Sequence, residues 1–161
     1  MKRLAIVLLL TLPFSLVASR AFAAKPTIQR IPVDNEFVDS SCGFDVDIHQ
    51  TGTIVDISYT DAEGVLHDFQ AFPQGKQVMT NLDTGKTITV NIAGPGTFTV
   101  NPDGSFTLVG RGTWSWNSNP DNGDPGQFLT EGHFVFSVDA VGNSTLTRTG
   151  HLVDLCAELA A

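Results

Sequence analysis

From Cys42 to Cys156 the chain alternates apolar and polar residues with a period of two, and glycine-containing clusters cut that alternation about every eight to twelve residues. Phe44, Val46 and Ile48 share one side, with Asp45, Asp47 and His49 on the other. Val55, Ile57 and Tyr59 continue the pattern, followed by Val65 to Phe72, Gln77 to Leu82, and Ile88, Val90 and Ile92. Phe98 and Val100 should face Phe106 and Leu108 across Asn101-Pro102-Asp103-Gly104. Later runs are Gly112 to Trp116, Gln127 to Glu131, His133 to Asp139, and Ser144 to Cys156 with a break at Gly150. The clusters between them, DAEG, FPQG, LDTG, AGPG, NPDG and AVGN, each offer a glycine that can take positive φ, as a turn would ask. Only Asp154 to Ala161 suggests a helical turn. The expectation is an all-β, single-domain antiparallel meander of about 8–10 strands, with an up-and-down β-barrel favoured over a β-sandwich.

The start of the chain reads differently. Lys2 and Arg3 precede an apolar run from Leu4 to about Ala18, and the small-x-small triplet Ala21-Phe22-Ala23 follows. Residues 1–23 are therefore read as a secretory signal peptide, cleaved after Ala23. The run is too short, and too broken by Thr11, Pro13 and Ser15, for a membrane span. Residues 24–41, with Pro26 and Pro32, are expected to be an extended or loosely attached lead-in to a domain over 42–161.

Export fits the cysteines. Cys42 and Cys156 are the only two, and in an oxidising compartment they are expected to form a disulfide pinning the first strand to the last. The whole chain carries a formal charge of −8. Loss of Lys2, Arg3 and Arg20 leaves six basic residues against seventeen acidic ones, near −11. Such a surface repels polyanions, which argues against nucleic acid and anionic lipid as partners.

Three segments carry a resemblance: GFDVDIHQTG after the first cysteine, FPQGKQVMTNLDTGKTITVNIAGPGTFTVNPDGSFTLVGRGTW in the middle, and TRTGHLVDLCAELA at the end. Over Cys42 to Ala161 the chain resembles a group of small exported β proteins of actinobacteria with a Cys-Gly-Phe start and a Val-Asp-Leu-Cys-Ala end. The resemblance implies a bacterial, secreted or extracytoplasmic β protein with the same bridge. It carries over no catalytic residue.

Chemistry-bearing residues are few. Trp114 and Trp116 lie two apart on a strand, so their rings point to one side. Polar Thr113, Ser115 and Asn117 take the other side, which favours inward rings lining a core or a cavity. His67 shares parity with Val65 and Phe69 and should point inward with them; His151 does the same with Val153 and Leu155. None of His49, His67, His133 and His151 forms an HxH or HExxH spacing. Counted from Asn117, the loop around SNPDNGDPG departs from a calcium loop at the sixth and twelfth positions, Asn122 and Phe128. No metal and no cofactor is expected. The chain has no GxSxG elbow, and a bridge would consume both thiols.

These features favour a non-catalytic binding or interaction module over an enzyme. The expected partner is a small apolar ligand held by Trp114, Trp116 and His67, or a cell-surface protein met through the loop at 117–126. The alternative is a small barrel enzyme of isomerase or cyclase type, its cavity walled by the same three residues.

Overall fold

The structure is a computed structural model and describes residues 25–161. The signal peptide expected over residues 1–23 lies outside the described residues. The chain forms β1 (Thr27–Asp39), β2 (Val46–Thr60), β3 (Leu66–Ala71), β4 (Lys76–Asn81) and β5 (Thr87–Asn91). β6 (Gly96–Val100), β7 (Phe106–Ser118), β8 (Pro125–Val138), β9 (Ser144–Asp154) and α1 (Leu155–Ala160) follow. All nine strands belong to one antiparallel sheet in the order β5-β4-β2-β3-β6-β7-β8-β9, with β1 on β2.

β2 is the branch point. β1 pairs with it from Val46 to Ser58, along one edge. Its other edge is shared, because Val46–Thr51 pairs with β4 and Val55–Thr60 pairs with β3. The sheet therefore has two limbs, one through β4 and β5 and one running to β9.

The expected closed barrel does not form. β5 and β9 end the sheet, each paired on one side, and the first strand takes β2 as its partner instead of the last. The lead-in is extended but not loosely attached, since Thr27–Asp39 is a strand bonded along its whole length. Pro32 is compatible with this because β1 is an edge strand with an unpaired outer side. Its residues are mostly exposed, so alternation did not mark it.

Several runs that read as separate strands are continuous. β7 joins the two runs on either side of Gly110-Arg111, and β8 joins those on either side of Gly132. Gly112, Gly132 and Gly150 stand opposite one another in adjacent strands. A Cβ on Gly132 would lie 2.2 Å from the Thr149 carbonyl oxygen, and Gly132 has φ +146°. Only glycine permits that approach and conformation, so the line lets three long strands change direction without ending. Burial changes across it: Gly126–Thr130 of β8 is buried throughout, and beyond Gly132 only Phe134 is.

The main core brings the limbs together. Val46, Ile48 and Met79 pack with Ile92, Leu129, Leu155 and Leu159. The expected terminal turn is α1, capped by Asp154, whose carboxylate accepts from the Ala157 amide at 3.0 Å. It packs on β8, β4 and β5. Cys42 and Cys156 are joined as expected, but the bridge ties the β1–β2 turn to α1, not strand to strand. Among the described residues, no helix is long and apolar enough to cross a membrane.

Candidate functional site

Trp114 and Trp116 project from β7 to the same side, opposite Thr130 and Phe128 of β8. Phe134, almost wholly buried, meets both indoles edge to face, with ring centroids 5.3 and 5.0 Å away. Trp116 Nε1 donates to Thr130 Oγ1 at 3.1 Å, and Trp114 Nε1 donates to the Arg111 carbonyl at 3.2 Å. The Trp114 ring lies so close to Gly94 and Gly96 that a Cβ there would fall 2.1 and 2.6 Å from its atoms. AGPG thus serves close packing as well as turning. Both indoles are anchored and half-buried.

Beside them the sheet leaves a cleft of about 230 Å³ between β1–β2 and β7. Val33, Ile54, Phe72, Ile92 and Trp114 supply its apolar wall, and Asn35, Gln50, Gln70 and Ser115 its polar groups. A second hollow of about 280 Å³ continues it past the shared Gln50 and Ser115 to Phe37, Asp39, Trp116 and Asn117. Burial works to raise the Asp39 carboxyl, but bonds from Ser41 and Gln127 outweigh it and hold it below the ordinary aspartate value. A larger hollow, about 680 Å³, is walled by Thr51, Pro73, Gln74, Lys76, Thr89, Val90 and Asn91. It has no aromatic wall and lies apart from the tryptophans, so the smaller cleft is the better site.

His67 is not part of this cleft. It does share a side of β3 with Phe69, as parity requires, but that side is the outer one: Phe69 is 40% exposed. His67 stacks on Tyr59 at 4.9 Å, and its Nε2 is 2.9 Å from Asp61 Oδ2. Asp61 Oδ1 also accepts from the amides of Glu63 and Val65, so the pair organises the β2–β3 turn. The hydrogen bond from His67 comes first among the causes that lower the Asp61 carboxyl. The loop after β7 is folded on itself by bonds from Asn119 N to Asp124 O and from Gly123 N to Asn119 O. Its Asp121 is paired with Arg148 of β9.

The opposite side of β3 holds what sequence reasoning missed. Gln70, in the cleft wall, donates to Asp68 at 2.9 Å and to Asp56 of β2 at 3.2 Å. Burial first, then the hydrogen bond to Asp56, pushes the Asp68 carboxyl above its ordinary value. Asp68 Oδ1 is buried without a donor while both groups are ionised, and a proton held between the two carboxyls would provide one. The only signal in LHDFQA was parity, and it pointed the wrong way, because Phe69 faces out and the acid faces in.

No protein-family model, no curated protein and no solved structure matches the chain.

Proposed function

We propose that the chain is an exported, non-catalytic binding protein that takes an apolar ligand into the cleft beside Trp114. On this reading the chain belongs with the exported actinobacterial β proteins it resembles. The observation that carries the proposal is the rigid indole of Trp114, locked by Phe134, Gly94 and Gly96, facing Val33, Ile54 and Ile92 across unfilled space. Fixed aromatic walls with a few polar groups favour an apolar ligand at low ordering cost. The disulfide is consistent with an extracytoplasmic setting. The enzyme reading loses its constellation, because His67 stands on the outer side of β3.

Titration with a neutral naphthylamine dye tests the proposal, read by dye emission and by quenching of tryptophan fluorescence. Trp114→Ala should weaken binding by about tenfold or more, in the range of an aromatic anchor. Equal affinity of wild type and Trp114→Ala for the dye would overturn it.

A further inference from the structure

We propose that the natural occupant of the cleft is an extended segment of another protein in which apolar residues alternate with basic ones; it adds as a strand to the unpaired edge of β7 at Trp114–Ser118 and puts its apolar side chains into the cleft. This rests on the cleft being the ligand site and names what enters it.

β7 loses its neighbour partway along. Of β7, β6 pairs only Phe106–Gly110, and the chain just before β6 covers the next residues through Arg111 N to Pro95 O at 3.0 Å and Ala93 N to Thr113 Oγ1 at 3.1 Å. At Trp114–Trp116 and at Ser118 the strand is paired with β8 alone; Trp114 and Ser115 border the cleft, and Ser115, Trp116 and Asn117 border the second hollow. The edge of this stretch away from β8 has no partner strand. Backbone N–H and C=O groups on such an edge are a template for an incoming strand. Five residues match the length of β6, the sheet's own partner for the first part of β7.

Charge selects the partner. Neither hollow has a basic residue in its wall, and the second carries Asp39, whose carboxyl is held in its ionised form. Asp34 and Glu36 alternate with the lining residues of β1 and point to its other side, so the remaining attraction is that of the whole chain, of net charge −8. A basic segment is attracted and an acidic one repelled. A second copy of this chain would bring the same acidic groups to the same edge. Alternation completes the match, because every other residue of the added strand can reach Val33, Ile54 and Ile92 while the rest stay in water.

The test uses the exported full chain and an acetylated octapeptide alternating valine with lysine. Two further peptides are N-methylated on alternate residues, one along each edge. Methylation along the edge that pairs with β7 should weaken binding about tenfold, by loss of two or more backbone hydrogen bonds, and methylation along the other edge should not. Hydrogen exchange at 114–118 should slow when the unmodified peptide binds, and Asp39→Asn should weaken that binding. If both methylated peptides bind equally and 114–118 is not protected, the strand inference fails; dye binding that still depends on Trp114 then leaves the cleft reading intact. Loss of that dye dependence fails both. A concentration-dependent dimer that protects 114–118 without peptide would make the occupant a second copy and overturn the proposal.

Discussion

The two ends of the β2 strand live in different environments. At its start, Val46 and Ile48 pack with Met79, Leu155 and Leu159, all 0–1% exposed, beneath α1 and the disulfide. Polar groups there are satisfied as well: Asn81 Nδ2 donates to the Leu159 carbonyl at 3.3 Å, and its Oδ1 accepts from Asp83 and Thr84. Toward its end, β2 meets β3, none of whose residues is buried, and Ile28, Tyr59, Leu66 and Phe69 are exposed. One strand thus joins a sealed end to an end held mostly by ladder bonds. Apolar burial and the covalent link are concentrated in the first, so the second should open at lower free energy.

The largest blow to this contrast is removal of the bridge. Cys42→Ser with Cys156→Ser releases a loop of 114 residues in sequence separation. The expected loss is about 2–5 kcal/mol, through freedom regained by the unfolded chain. Thermal unfolding with and without reductant measures it. An unchanged melting temperature would mean that α1 and the core hold the sealed end without the bridge.

A matched pair of truncations sharpens the comparison. Met79→Ala leaves a cavity in the sealed core and should cost about 3 kcal/mol. Phe69→Ala, on the outer side of β3, should cost under about 1 kcal/mol. Urea unfolding of both variants decides, and equal losses would show that the two ends are comparably packed.

The sealed end is also where the sequence was most legible. Val46 and Ile48 alternate with acids, and the Asp154 cap announces α1, so pattern and burial agree. The hairpin at Asn101–Gly104 was equally plain, with Phe98 opposite Leu108 and Val100 opposite Phe106. The open end was not. β1 is exposed on both sides, leaving periodicity nothing to report. In β3 the apolar Phe69 lies outside and Asp68 inside, so parity correctly grouped His67 with Phe69 but could not say which side was inner. The glycines at 112, 132 and 150 looked like strand ends, because their alignment exists only once the register is known. The tryptophan pair was recognisable as a same-side pair, whereas the unpaired edge beside it depends on where β6 stops.

The smallest effect probes the one acidic pair on the cleft side of β3. The Asp68 carboxyl is raised above the ordinary 3.8 by burial and then by Asp56, so the folded chain holds a proton that the unfolded chain releases. That proton's contribution to stability is complete below pH 3.8 and is lost as pH rises through the raised value. Asp68→Asn is neutral at every pH, and its amide can donate to Asp56 as the shared proton would. At neutral pH the variant should therefore be the more stable chain, by under about 1 kcal/mol. The advantage should shrink as the pH falls through the raised value and vanish below 3.8. Asp61, Asp103, Asp121 and Asp139 have lowered values and lose stability in acid, but they do so in both proteins and drop out of the difference. The difference in urea midpoint across the acid range is the measurement. A difference that stays constant with pH would mean that Asp56 and Asp68 do not share a proton, and that Gln70 alone holds this side of the cleft together.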